Sequence, residues 1–206
     1  MSSEASRAGA PAEPGTNAGS GRLVLVVGPS GAGKDTLLTL AKAALAARND
    51  IVFQRRVVTR PPGQGEDHDS LTPEAFAEVR RCGAFVLAWH AHGLDYGIPQ
   101  RAMELARDGR TVVCNASRSI AAEARARFPG TRIVYIAALS EMRVRRLAAR
   151  RRETTIAERI ERELGDNIKS TADLVIDNSG AAEESATQLV TYLSGLTRAR
   201  PHPSEQ

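Results

Sequence analysis

Leu23-Val24-Leu25-Val26-Val27, running straight into Gly28-Pro29-Ser30-Gly31-Ala32-Gly33-Lys34-Asp35-Thr36, is the stretch that decides the fold. The apolar, largely β-branched run predicts a strand buried on both faces. From Thr36 to Ala47 the chain is rich in Ala and Leu, and Leu37, Leu40, Ala41, Ala44 and Leu45 share one helical face. Strand, glycine-rich turn and helix form the setting that a phosphate-binding loop requires, and G-x-x-x-x-G-K is met by Gly28, Gly33 and Lys34. Glycines there let successive backbone N–H groups turn inward on an anion. The helix N-terminus adds partial positive charge, and Lys34 has the reach for the β- and γ-phosphates of a nucleotide. An ordinary glycine-rich turn would leave the completeness of the motif unexplained. The whole of Gly28 to Thr36 is therefore expected to bind a nucleoside triphosphate.

One position departs from the motif. The Ser or Thr that normally follows the lysine and ligates Mg²⁺ is replaced by Asp35, with Thr36 one step on. A carboxylate is a hard ligand for Mg²⁺, directly or through a water, but it also sets negative charge beside the phosphates. Asp35 then either holds the metal or repels the nucleotide until a metal arrives, and both make activity depend on Mg²⁺. The plainer alternative is a helix-start aspartate favoured by the dipole.

Composition narrows the class. A chain of 206 residues is one domain by length, large enough for a sheet covered by helices. Its net charge is +4, with the excess concentrated in Arg143, Arg145, Arg146, Arg150, Arg151, Arg152, Arg159 and Arg162. Such a cluster suits nucleic acid or the polyphosphate of a small anionic substrate, and beside a phosphate loop the second is favoured. Aromatic residues make up only 4% of the chain, so no stacking platform for single strands is expected. Cys82 and Cys114 are far apart and unpatterned, as structural thiols in a reducing compartment would be. No apolar run approaches the ~20 residues of a membrane span, and no signal-peptide core precedes the first strand. A cytoplasmic protein without membrane or nucleic-acid partners is expected.

Working outward, residues 1–21 are rich in Ala, Gly, Ser and Pro and are expected to be a disordered tail, as is the stretch 197–206. Ile51 to Thr59 alternates as a second strand, while Thr59 to Glu66, with its prolines and glycines, is neither helix nor central strand. Thr72 caps a short helix to Cys82, Ala84 to His90 is a strand, and Gly93 to Gly97 is a turn. A helix from Ile98 to Asp108 closes at Gly109, followed by a buried strand Thr111–Asn115 and a helix Ser119–Phe128. Arg132 to Ala137 is the fourth parallel strand. Ser140 caps an Arg-rich helix towards Arg152, Thr154 or Thr155 caps the next, to about Lys169, and the chain ends with strand Asp173–Asp177 and helix Ala181–Leu196. Strands alternating with helices predict a parallel α/β sheet covered on both faces, interrupted by an inserted substrate-binding subdomain at residues 59–97. The site should lie at the carboxyl ends of the strands, where Gly28 to Lys34, Arg60 and Asn115 converge.

A phosphate loop, Thr59-Arg60-Pro61-Pro62, an inserted helix and strand, Tyr96-Gly97 and a late Arg-rich segment together resemble the guanylate kinase family of P-loop nucleotide kinases over residues 22–196. The resemblance implies a nucleoside-monophosphate-kinase-like domain over 22–196, an acceptor-binding insert at 59–97 and an Arg-rich lid at 146–159. The departures are as telling. Gly63 stands where the family has a second arginine, Leu87 where it has the guanine-reading glutamate, His68 where it has a base-reading tyrosine, and Ile98 where it has a serine. Arg60 and Tyr96, which the resemblance assigns to the acceptor's phosphate, are kept. Groups for the phosphate remain and groups for the base are gone.

Taken with Val58-Thr59-Arg60-Pro61, Asp95-Tyr96-Gly97-Ile98-Pro99, Val112 to Arg118 and Asp173 to Gly180, the chain is similar to the ribose 1,5-bisphosphate phosphokinase family. That resemblance implies ATP and Mg²⁺, a phosphorylated sugar as small-molecule acceptor, 5-phosphoribosyl 1-diphosphate as product, and a place in organic phosphonate breakdown. It also implies that Lys34, Arg146, Arg150 and Arg159 carry the catalytic charge; for any one arginine a solvated helix face is the alternative. A phosphate monoester is largely dianionic at pH 7 and attacks without a general base, so catalysis is positioning and charge neutralisation.

Other polar residues are open to two readings. His90 and His92 share a strand face but have no third metal ligand at a fitting spacing, which favours core or rim histidines. Asn115, Ser117 and Arg118 either contact the acceptor or cap a helix, and Asn178 either touches adenine or makes a turn. Two other classes fit the same elements: a nucleotide kinase with an altered base pocket, and a non-catalytic guanylate-kinase-like binding module. Retention of Lys34 and the arginines speaks against the module.

Overall fold

The computed structural model describes residues 21–61, 67–149 and 168–197. The expected tails, Gly63, and the arginines at 150, 151, 152, 159 and 162 lie wholly or largely outside them, as does most of the helix expected to start near Thr155.

Strand β1 (Arg22–Val27) is the axis of the molecule. Leu23, Leu25 and Val27 enter one core while Val24 and Val26 enter the other, which is why the run is apolar without alternation. Around it β2 (Ile51–Gln54), β7 (Thr111–Asn115), β8 (Arg132–Ala137) and β9 (Leu174–Asp177) form an all-parallel sheet in the order β2-β7-β1-β8-β9. One face packs on α1 (Lys34–Ala44) and the C-terminal helix α7 (Ala182–Thr197), through Leu37, Ala41, Ala186, Leu189 and Leu193. The other packs on α3 (Arg101–Arg107) and α4 (Ala121–Arg127). Helix α5 (Ser140–Ala149) follows β8, and a single turn α6 (Ile168–Thr171) precedes β9. Strand order reverses at β1, so the loop leaving it opens at a topological switch point, where ligands of such sheets bind.

A second sheet, in the order β4-β3-β6-β5, comes from β3 (Arg56–Val58), β4 (His68–Ser70), β5 (Phe85–Ala91) and β6 (Leu94–Pro99), with α2 (Pro73–Arg81) beside it. It corrects the sequence-based elements in three places. Ile51 to Thr59 is not one strand: the polar Gln54-Arg55-Arg56 cannot continue into a sheet buried on both faces, so the chain changes sheet at Arg55. Gly93 to Gly97 is not a turn. His92 and Gly93, at φ 53° and 72°, make a two-residue hairpin connection, and Leu94 onward is strand. Gly97 belongs in that strand because the Phe85 ring lies over it; a Cβ there would stand 2.6 Å from Phe85 Cδ1. The helix expected from Ile98 starts only at Arg101, because Ile98 and Pro99 still pair with Leu87 and Phe85 in the sheet. Thr72 caps α2 as expected, accepting from the Ala75 N–H at 3.2 Å. Burial pushes the Cys114 thiol up to about 12, leaving an inert core residue, and Cys82 is an exposed free thiol. Among the described residues no helix is long and apolar enough to cross a membrane.

The β8–β9 edge is fastened by Asp173. Its carboxylate accepts from the Ile133 N–H at 2.8 Å, Arg125 at 2.6 Å and Arg132 at 2.9 Å, with the side chain 18% exposed. Burial alone would raise its pKa, and these donors outweigh it to hold the carboxyl below the ordinary value. A depressed folded-state pKa means stability present above the unfolded value and lost as pH falls through and below it. Asp173→Asn should therefore cost about 1–3 kcal/mol at neutral pH, and the gap from wild type should narrow below about pH 4, as read by urea unfolding at several pH values.

Candidate active site

The loop between β1 and α1 is shaped by its glycines. Gly28, Gly31 and Gly33 have φ of 147°, 80° and 90°, in or beyond the left-handed region that L side chains avoid. A Cβ on Gly28 would stand 2.2 Å from the Ile136 carbonyl oxygen, and one on Gly33 2.3 Å from Asn178 Nδ2. Because Gly33 ends the loop in this conformation, the helix begins at once: α1 starts at Lys34, two residues before the expected Thr36.

The carbonyl oxygens of the loop are tied down by side chains. Lys34 Nζ donates to those of Gly28 at 2.7 Å and Pro29 at 3.0 Å. Arg143 Nε donates to Ser30 at 3.1 Å, Asn178 Nδ2 to Ala32 at 2.8 Å, and Arg146 to Ala32 at 3.4 Å and to Asn178 at 3.0 Å. The loop is thus fixed before an anion arrives, with Lys34, Arg143 and Arg146 all drawn to it. Asn178, 1% exposed, is neither a mere turn residue nor an exposed base contact; it braces the loop. Neither Arg143 nor the bracing by Asn178 is legible locally, since both depend on α5 and the end of β9 folding back over residues 30–32.

At the carboxyl end of β7, Asn115 Nδ2 donates to Asp35 Oδ1 at 2.6 Å. Arg56, which the sequence did not single out, approaches the same oxygen at 3.9 Å and lies over the Tyr96 ring at 5.4 Å. Tyr96 in turn stacks on Trp89, with ring centroids 5.2 Å apart and 6° between planes. Arg60 follows β3; its carbonyl oxygen accepts from Ser70 at 2.7 Å and lies 3.4 Å from His68 Nε2. Burial first, and then the charges of Arg56 and Arg60, hold the His68 pKa below its ordinary value, so its imidazole is neutral at pH 7. Arg56 thus links Asp35 to Tyr96, with Arg60 near enough for its charge to act on Arg56, while Arg143 and Arg146 reach the loop from α5. Ser117 caps the short 3-10 turn that Arg118 opens, accepting from the Ser119 N–H at 3.3 Å.

Two expectations are settled by packing. Leu87 and Ile98 are cross-strand partners, 1% and 0% exposed, and belong to the core. His90 and His92 do not share a face: His90 pairs with Asp95 across the hairpin at 2.9 Å and His92 sits in its turn. Among the described residues no group of three or more His, Cys, Asp or Glu side chains could hold a metal ion. One carboxylate at the start of α1 is nonetheless what Mg²⁺ usually takes from a protein when phosphate oxygens supply the rest. Asp35, kept in place by Asn115, fits that donor set.

Comparison with known proteins agrees with this geometry. No family model matches the chain. A ribose 1,5-bisphosphate phosphokinase PhnN from Methylobacterium radiotolerans is 50% identical over 175 residues, covering 84% of this chain and 97% of that protein. One of the same name from Bradyrhizobium diazoefficiens is 45% identical, covering 85% and 89%. A bifunctional ribose 1,5-bisphosphokinase-thymidine phosphorylase from Cupriavidus necator is 40% identical over 86% of this chain and 30% of its own length. Among solved structures, guanylate kinase from Anaplasma phagocytophilum superposes with a TM-score of 0.64 at 20% identity, covering 86% and 87%, which shows a shared guanylate-kinase-like fold.

Proposed function

This chain belongs to the ribose 1,5-bisphosphate phosphokinase family, and we propose that it transfers the γ-phosphoryl group of ATP to ribose 1,5-bisphosphate, yielding 5-phosphoribosyl 1-diphosphate and ADP. Beyond kinship, one observation carries this reading: an intact phosphate loop runs into α1, where Asp35 lines a cleft with Arg56 and Asn115, while Leu87 and Ile98, at base-reading positions, are sealed in the core. The acceptor is recognised by its charge and not by a base. We place the reaction in the cytoplasm, in organic phosphonate breakdown, with no nucleic-acid partner.

An oxygen of the sugar's 1-phosphate attacks the γ-phosphorus as the bond to the β–γ bridging oxygen breaks, and ADP leaves. The nucleophile is already anionic, so no side chain need take a proton. Lys34 moves from the loop carbonyls to the β/γ-phosphates, where charge accumulates in the transition state. Arg146, whose guanidinium already reaches the loop at Ala32, neutralises the same region, joined by Arg150 and Arg159. Arg60, Tyr96, Asn115 and Arg118 orient the acceptor. Asp35 would hold Mg²⁺, directly or through water, which when bound offsets charge on the β- and γ-oxygens.

Two measurements test this. With γ-labelled ATP, label must appear only in the outer phosphate of the diphosphate; label elsewhere would rule out phosphoryl transfer to the 1-phosphate. Asp35→Asn should raise the Mg²⁺ concentration for half-maximal activity by about tenfold, the loss of one charged ligand. An unchanged Mg²⁺ dependence would make Asp35 a helix-start residue only.

A further inference from the structure

The cleft between α1 and the β2–β3 junction is lined by three cations, Lys42, Arg55 and Arg56. Two are compensated at close range: Lys42 by Asp67 at 2.8 Å, and Arg55 by Asp67 at 2.8 Å and Asp69 at 3.0 Å. Arg56 is not. Its nearest carboxylate oxygen, on Asp35, is at 3.9 Å, beyond hydrogen-bond distance, and that oxygen already accepts from Asn115 at 2.6 Å. Its side chain is 14% exposed, and its Nε is buried without an acceptor among the described residues. Strand alternation explains the difference between neighbours: Arg55 turns out to the paired aspartates and Arg56 turns in, over Tyr96.

A buried guanidinium with an unmade donor is costly unless an anion completes it. Its planar fork suits bidentate binding of a phosphate better than that of any monodentate group. The reacting phosphate of the acceptor must lie against the γ-phosphate at the Gly28–Lys34 loop. Arg56 lines the cleft that runs from Asp35 along α1 past Leu38 and Thr39 to Lys42, where the other end of a sugar bisphosphate would lie.

We propose that Arg56 binds the non-reacting phosphate of the acceptor and so makes the enzyme select a sugar that carries two phosphates. This rests on ribose 1,5-bisphosphate being the acceptor. Arg56→Gln should raise KM for ribose 1,5-bisphosphate by at least about tenfold with KM for ATP little changed, and Arg56→Lys should restore part of the loss. Preference for ribose 1,5-bisphosphate over ribose 1-phosphate, which lacks the second phosphate, should collapse by the same factor. Calorimetric binding of ribose 5-phosphate, which carries only that phosphate, should weaken in parallel. Melting of the substrate-free Arg56→Gln protein should not fall, since an under-compensated buried charge is removed. Equal losses on both acceptors, a raised KM for ATP, unchanged ribose 5-phosphate binding, or a melting drop that accounts for the loss would each overturn the proposal. Ribose 5-phosphate binding needs no turnover, so an enzyme inactive on ribose 1,5-bisphosphate would refute the proposed reaction while Arg56 was still tested.

Discussion

Lys34→Met should leave a folded protein whose phosphoryl transfer is slower by about a thousandfold or more, some 4 kcal/mol of transition-state stabilisation. The ammonium group is the only cation carried by the loop itself, and it rests on the carbonyl oxygens of Gly28 and Pro29 at 2.7 and 3.0 Å. Losing those two contacts costs folding only about 1 kcal/mol, because Arg143, Arg146 and Asn178 hold the loop from the other side. The loss should fall on kcat, since charge at the β–γ bridge grows during the reaction and an interaction strengthened there is worth most in the transition state. Steady-state kinetics beside a thermal melt checks this. A folded variant with near wild-type turnover would remove Lys34 from the reaction.

The parts of the molecule that the sequence makes legible are those specified by consecutive residues. The strand, loop and first helix read directly from Leu23 to Leu45, because an unalternating apolar run, glycines at conformationally demanding positions and a helical stripe each leave a local signature. The cap at Thr72 and the parallel strands at Thr111 and Arg132 are of the same kind. The second sheet is harder, because its strands are short and polar. Gly97 looks like a turn until the Phe85 ring is seen to require it, and Arg56 looks like one of many arginines until Tyr96 and Asp35 are placed around it. Asn178 and Arg143 reach the loop only through chain folding across more than a hundred residues, for which no local pattern exists.

The other large effect concerns the acceptor. GMP should be used with kcat/KM lower by on the order of a thousandfold or more than ribose 1,5-bisphosphate. A guanine entering the cleft gives up hydrogen bonds to water, and each polar edge left unmatched costs about 1–3 kcal/mol. Leu87 and Ile98 offer it nothing, since they pair across β5 and β6 and are closed into the core. His68, buried and held neutral beside the Arg60 carbonyl, is likewise committed. A sugar bisphosphate meets none of these penalties and brings two dianions to a cleft that holds Arg56, with the charge of Arg60 near it.

The measurement that bears most directly on this is a side-by-side incubation with ATP, Mg²⁺ and either ribose 1,5-bisphosphate or GMP, followed by phosphorus NMR. The expected result is growth of the 5-phosphoribosyl 1-diphosphate resonances together with ADP, and almost no GDP. Efficient formation of GDP, with the sugar bisphosphate left untouched, would contradict the account.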